Sequence, residues 1–444
     1  MHDLIVHDVK ILEHGEWVET DIAIHNGSFS SIGSTGGAAK TIIDANGSYC
    51  VPGGVDLHVH FNEPGRTEWE GFATGSRAAA AGGITFVSEM PLNSIPSTVS
   101  VDALNDKLDA IGSQSSVDFA LWGGLVPGNV QDLQPLANAG VIGFKAFMSP
   151  SGTDDFENSD TATLRAGMAE IAKTGKVLAI HAEDPRVLKA AEARVLNKTS
   201  AYHWENSRPV EAEIEAIKTA VDLAGETGCR IHIVHISSSD ALSFVSQGKQ
   251  NGIDVTCETC PHYLLLSVDD SYRLGPTAKC APPLRQPTTV GGLWNSIRNN
   301  EVNTIGSDHS PCPIQLKSGA HNFYEAWGGI SGLQHGLPLL WDACMGDLKL
   351  FQKIMDLSTS NASDLIGLKS KGKLELGRDA DFVLFESLDI PTGISQEELL
   401  YKNAHSAYCG SEISLKVKGT WLRGKCIYGE ESHVELPFGR FLRF

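Results

Sequence analysis

Eight apolar, strand-like runs recur between residues 53 and 307, and most are separated by longer stretches of helical periodicity. The runs are Gly53–Val59, Ile84–Met90, Val117–Leu125, Val141–Phe147, Lys176–His181, Arg230–Ile236, Ile253–Thr259 and Val302–Ser307. Helical candidates between them are Glu70–Ala81, Val101–Ile111, Thr161–Lys173, Val210–Glu226 and Ser238–Gln247. A helix between two strands returns the chain to the same end of the sheet, so the strands run parallel. Eight such units predict an α/β chain, a (β/α)8 TIM barrel.

Both ends of the chain read differently. Residues 1–50 alternate apolar and polar residues in short runs (Asp3–Val9, Asp21–His25, Thr41–Asp44), punctuated by Gly15, Gly27 and Gly33. That pattern predicts short antiparallel strands with turns. Asp379–Phe385 and Glu412–Val417 repeat it near the far end, with turns at Gly372, Gly377, Gly419 and Gly424. The two ends are therefore expected to form one small β-sandwich domain. The expected organisation is 1–51 as the first part of that domain, 52–369 as the barrel, and 370–444 as its second part and tail.

Apolar residues make up 41% of the 444, enough for a core of this size. The formal charge of −19 lacks the basic patch that nucleic acid or an anionic membrane requires, so neither is expected as a partner. No uncharged apolar run reaches the roughly 18 residues of a bilayer span. Met1-His2-Asp3-Leu4 does not open a secretion signal. Nine cysteines, neither dense nor even in number, predict reduced thiols and a cytoplasmic protein. Cys257 and Cys260 form a C-x-x-C without a second pair, and read as small core residues at a strand end.

Most of the candidate ligands fall at the C-terminal ends of predicted strands, the face where TIM-barrel chemistry sits. His58 and His60 are two apart in a strand and share a face. His181 and His235 end two further strands. His232, three residues before His235, is expected on the opposite face, packed outside the barrel. Asp308 follows the eighth strand and reads either as a helix cap or as a ligand that also accepts a proton. Lys145 sits inside the apolar run Gly143-Phe144-Lys145-Ala146-Phe147. It either snorkels to water or is buried with its amine pKa lowered. A neutral amine there can take up carbon dioxide as a carbamate whose two oxygens bridge two metal ions. Imidazole and oxygen ligands together admit zinc first, with cobalt, manganese, nickel and iron(II) as alternatives.

This set, in this order, resembles the amidohydrolase superfamily, specifically its cyclic amidases: the allantoinases, dihydroorotases and hydantoinases. The resemblance runs over essentially the whole chain, to Gly377-Arg378-Asp379-Ala380-Asp381 in the returning β-domain. His58-Val59-His60-Phe61-Asn62-Glu63-Pro64-Gly65-Arg66 and Met90-Pro91-Leu92-Asn93-Ser94 are most similar to the allantoinase versions. His181-Ala182-Glu183, Pro261-His262-Tyr263, Ala281-Pro282-Pro283-Leu284-Arg285 and Ser307-Asp308-His309 are shared more broadly.

The resemblance implies two divalent metal ions, one on His58 and His60 and one on His181 and His235. Carboxylated Lys145 bridges them and Asp308 completes the site. It implies hydrolysis of the allantoin ring to allantoate by a metal-bridged hydroxide, with Asp308 as the catalytic acid and base. The substrate is a small molecule, and the chain is expected as a homo-oligomer, as a tetramer by analogy. Dihydroorotases typically carry Arg at the position of Asn62, where it pairs with a substrate carboxylate; Asn62 favours a ureido group instead. Arg66 and Arg285 are the cations that can partly compensate. Asn62 and Asn93 are the substrate-contact candidates, Asn93 reading equally as a turn residue. Dihydroorotase and hydantoinase activities are the alternatives within the family. A non-catalytic dihydropyrimidinase-like scaffold is the alternative outside catalysis, and the complete ligand set argues against it.

Overall fold

The structure, a computed structural model, describes all residues except 34, 319–321 and 432–436. Eight parallel strands form the barrel: β1 (Gly54–Val59), β2 (Ile84–Glu89), β3 (Asp118–Leu121, extended by Gly123–Gly124), β4 (Phe144–Phe147), β5 (Val177–His181), β6 (Arg230–Ile233), β7 (Val255–Thr259) and β8 (Thr304–Ile305). β1 to β3 pair in order, and Gly123–Gly124 through β8 pair in order. Trp122 N donates to Glu89 O at 3.0 Å across the first seam, and a parallel bridge from Val59 to His309 spans the second. Between them run helices that match the expectation closely, including Val101–Ile111, Thr161–Thr174 and Val210–Thr227.

Two apolar layers explain why the strands are apolar throughout. In β2, Val87 joins one buried cluster and Phe86 another; in β5, Leu178 and Ile180 join the first and Val177 and Ala179 the second. The first cluster includes helix residues such as Leu164, Ile217 and Leu242, so it lies between strands and helices. The second, with Leu57, Ala120 and Trp122, is the barrel interior. A strand covered on both faces shows no apolar–polar alternation. A polar side chain inside such a strand is therefore conspicuous.

The chain ends meet in one seven-stranded sheet. Its order is Lys425–Gly429, Glu412–Leu422, Phe382–Gly393, Ala39–Pro52, His2–Glu13, Glu16–His25 and Ser28–Ile32. Residues from both termini share one core, where Phe382 stacks on Trp421 at 4.8 Å between ring centres. Lys371 ties this sheet to the barrel. Its ammonium lies 2.6 Å from Asp381, 2.8 Å from Asp118 on β3 and 3.1 Å from Asp379.

Candidate metal centre

Lys145, His58, His60, His181, His235 and Asp308 converge at the C-terminal mouth of the barrel. His58 Nε2 lies 3.2 Å and His60 Nε2 3.4 Å from the same oxygen of Asp308. The three donor atoms lie within 4.8 Å of one another, close enough to share a metal ion. On the other side, His181 Nδ1 and His235 Nε2 face each other at 3.0 Å. The His58 ring centre stands 5.5 Å from those of His60 and His235, linking the two pairs. All four histidines are buried.

Lys145 is fully buried on β4, and its Nζ has no hydrogen-bond partner. It does not snorkel. Burial pulls its ammonium down to about 8, against the opposing attraction of Asp308 and Glu258. An orphaned amine among four imidazoles and a carboxylate fits a metal centre and fits no ordinary packing role. Burial would raise the Asp308 carboxyl, but His58, His60 and His235 hold it well below the usual carboxylate range. His235 is pushed well below its ordinary value by burial, then by His181 and Lys145. Neutral imidazoles and an ionised carboxylate are the protonation states that metal ligation requires.

Three of the four histidines are oriented by a partner on the ring nitrogen away from the centre. His58 Nδ1 pairs with Glu258 Oε1 at 2.7 Å, His60 Nδ1 donates to Leu92 O at 2.9 Å, and His181 Nε2 pairs with Glu183 Oε2 at 2.7 Å. Such partners fix the tautomer and leave the opposite nitrogen for the metal. Gly306 leaves the space that Glu258 needs: a Cβ there would stand 2.4 Å from Glu258 Oε2. Sequence reading gave Glu258 no role. The signal was present, an acidic residue in the middle of the apolar strand Val255–Thr259, as Lys145 is a basic one in β4.

Two expectations change. His232 does not pack outside the barrel. Ile231 and Ile233 join the strand–helix cluster, so His232 between them points inward, with Nδ1 2.8 Å from Thr256 Oγ1 and Nε2 3.9 Å from Glu258. The counting failed because β6 ends at Ile233 and His235 takes φ +41°, so strand alternation does not carry across. Asn62 does not reach the pocket wall. It is fully buried, and its Oδ1 accepts from Asn93 Nδ2 at 3.0 Å; Asn93 lines the pocket.

The pocket above the centre has a volume of about 390 Å³, suited to a small molecule. Phe147, Trp204, Tyr324 and Trp327 form much of its apolar wall, and Cys280, Ala281 and Gly329 also line it. Among the described residues of that wall the one guanidinium is Arg208, and it forms a two-point pair with Glu183. Arg66 is held by Asn93 O and by Asp155 at 2.6 Å, and Arg285 by Ser237 and Glu213. Neither compensating cation is free for a substrate carboxylate.

The model of the amidohydrolase family matches residues 49–427. An allantoinase of Rubrobacter xylanophilus is 43% identical, covering 99% of this chain and 97% of its own. An allantoinase of Escherichia coli is 38% identical over 99% of this chain and 98% of its own. Among solved structures, the L-hydantoinase (dihydropyrimidinase) of Arthrobacter aurescens superposes with a TM-score of 0.95 at 31% identity, covering all of both chains.

Proposed function

This chain belongs to the amidohydrolase family, and from that premise we propose that it hydrolyses the cyclic amide of allantoin to give allantoate. Full-length relatives named allantoinase support the substrate. The observation that carries the choice is the pocket wall. Its Arg208 is already paired with Glu183 and its Lys279 donates to the carbonyls of Tyr324 and Ala326, so the wall suits a neutral ureido ring better than the carboxylate of dihydroorotate.

The proposed centre holds two divalent ions, zinc first. His58 and His60 hold one, His181 and His235 the other, and Asp308 and carboxylated Lys145 complete the set. The neutral Lys145 amine adds to carbon dioxide, giving a carbamate and releasing one proton. Bound ions supply Lewis acidity at the ring carbonyl and a water acidified towards neutral pH. Asp308 takes the proton from that water and delivers it to the leaving ring nitrogen. The imidazoles of His58, His60 and His235 keep the Asp308 carboxyl ionised, the form that binds a cation. Asn93 meets the ring from the wall, and Asn62 behind it fixes the orientation of its amide. Trp204, Tyr324 and Trp327 offer the ring an apolar surface in the pocket wall.

The working form proposed is a cytoplasmic homo-oligomer. All nine cysteines are unpaired, and no helix among the described residues is long and apolar enough to cross a membrane. Purified, metal-supplemented protein assayed on allantoin, dihydroorotate and hydantoin tests the substrate directly. Turnover of allantoin far above the other two is expected; preference for dihydroorotate or hydantoin replaces this reading.

A further inference from the structure

Two sequence motifs contain residues to which the proposed reaction gives no part: Glu183 in His181-Ala182-Glu183 and Arg285 in Ala281-Pro282-Pro283-Leu284-Arg285. Both are buried, and they belong to one ionic network. Glu183 pairs with His181 Nε2 at 2.7 Å and accepts from Arg208 Nε at 3.0 Å, with Arg208 Nη2 on its second oxygen. The Arg208 carbonyl accepts from Arg285 Nη1 at 2.5 Å. Arg285 Nε donates to Ser237 Oγ at 2.8 Å, and its Nη2 lies 3.4 Å from Glu213. Glu213 in turn accepts from the Ser237 N–H at 2.8 Å and from its hydroxyl at 2.5 Å. Ser237 stands two residues after His235. The network therefore holds the His181 ring directly and reaches His235 only along the chain, through Ser237 two residues on.

The His58–His60 pair hangs on other groups. Glu258 holds His58 and the Leu92 carbonyl holds His60. Glu89, paired with buried Lys107, accepts from the N–H groups of Phe61 and Asn62 just beyond His60. Two contacts cross between the two systems beside His235: its N–H lies 3.4 Å from Glu258 Oε1, and the Ile236 N–H donates to Glu258 O at 2.8 Å.

A carboxylate behind a ligating imidazole sets its tautomer, its angle and its basicity. A two-point guanidinium pair fixes that carboxylate in turn. We propose that Glu183, Arg208 and Arg285 are positioning residues that set the metal affinity of the His181–His235 half of the centre, separately from the His58–His60 half. The proposal rests on the two-ion reading above.

Zinc titration of chelator-stripped full-length protein in bicarbonate buffer, in competition with a chromophoric chelator, separates the two halves. Wild type takes two ions. Glu183→Gln and Arg208→Gln keep one ion at wild-type affinity and bind the other about 10–100-fold more weakly. Arg208→Lys, which keeps the charge and loses the fork, falls between. Glu258→Gln weakens the ion that the other two variants leave alone. The metal-free variants keep the fold of the metal-free wild type, with a melting temperature lowered by loss of the buried Glu183–Arg208 pair. Two ions bound at wild-type affinity in both variants overturns the proposal, as does equal weakening of both ions. If Glu183→Gln does not fold, Arg208→Gln at the pocket wall decides alone. A wild type that binds fewer than two ions overturns the two-ion reading itself, and this proposal with it.

Discussion

Lys145 and Lys371 are the same residue at nearly the same burial, 0% and 1% exposed, and their surroundings give them opposite chemistry. Lys371 faces three carboxylates within 3.1 Å. Burial works against its charge, but Asp381, Asp118 and Asp379 outweigh it and raise its pKa. Lys145 has no hydrogen-bond partner, and burial pulls it down to about 8. One ammonium is a permanent ion that ties the barrel to the terminal sheet. The other amine loses its proton near pH 8, and its neutral form is free to react. Burial alone therefore does not mark a functional lysine, and neither does the lack of a carboxylate, since buried Lys317 donates to the carbonyls of Pro276, Trp327 and Gly329; a buried amine with no hydrogen-bond partner does.

The largest expected effect falls on the reactive member. Lys145→Ala loses most of its activity and metal and regains part of both with short carboxylic acids. Full metal content and rate in that variant remove the carbamate bridge. Asp308→Ala lowers kcat by about 10²–10⁴-fold with little change in KM, the range of general acid–base catalysis. Unchanged turnover takes the proton transfer away from Asp308.

Lys371→Met acts on the fold instead. It removes the ammonium that three aspartates share, leaving Asp118 with Arg423 as its ion-pair partner, and breaking a buried pair costs about 3–5 kcal/mol, measured as a lower denaturant midpoint. A folded-state pKa above the unfolded value of about 10.4 means this stabilisation is complete below that pH. It is lost only as pH rises through the folded value, so the deficit of the variant stays constant across neutral pH. A loss of metal in folded Lys371→Met would erase the contrast between the two lysines.

A pH dependence sharpens the same contrast. The reactive form of Lys145 is the neutral amine, whose fraction grows as pH rises through about 8. Reconstitution of metal-free protein at fixed dissolved carbon dioxide should therefore accelerate up to and past that pH and then level off. A rate that falls over the same interval contradicts the assignment. The smallest effect is expected at His232. Replacement by Gln leaves metal content intact and costs about 1–3 kcal/mol of stability through its buried hydrogen-bond partners. Loss of a metal ion there makes it a ligand after all.

The barrel was legible because both strand faces are apolar and the intervening helices keep their period, so elements such as Val101–Ile111 fall where expected. The edges were less so. Val302–Ser307 reads as six strand residues, but only Thr304–Ile305 pair, since the chain turns there to present Asp308 at φ +45°. Asn62 at +65° and His235 at +41° share this left-handed backbone. Such non-glycine residues cost of order 1–3 kcal/mol each and are held by surrounding contacts. Alternation predicts a side chain's direction only within regular strand, so it served His58 and His60 at the end of β1 and failed for His232 relative to His235. Asn62 could be placed in the right loop but not behind Asn93, because that depends on a hydrogen bond between loops. Glu258 reaches His58 across 200 residues of chain, a contact no local pattern encodes.

Carbon-13 NMR of protein loaded with zinc under labelled carbon dioxide addresses the claim that Lys145 is the reactive lysine. One carbamate resonance per chain is expected in the wild type and in Lys371→Met, absent from Lys145→Ala. A wild type that carries two zinc ions and shows no carbamate, or a carbamate that survives Lys145→Ala, contradicts it.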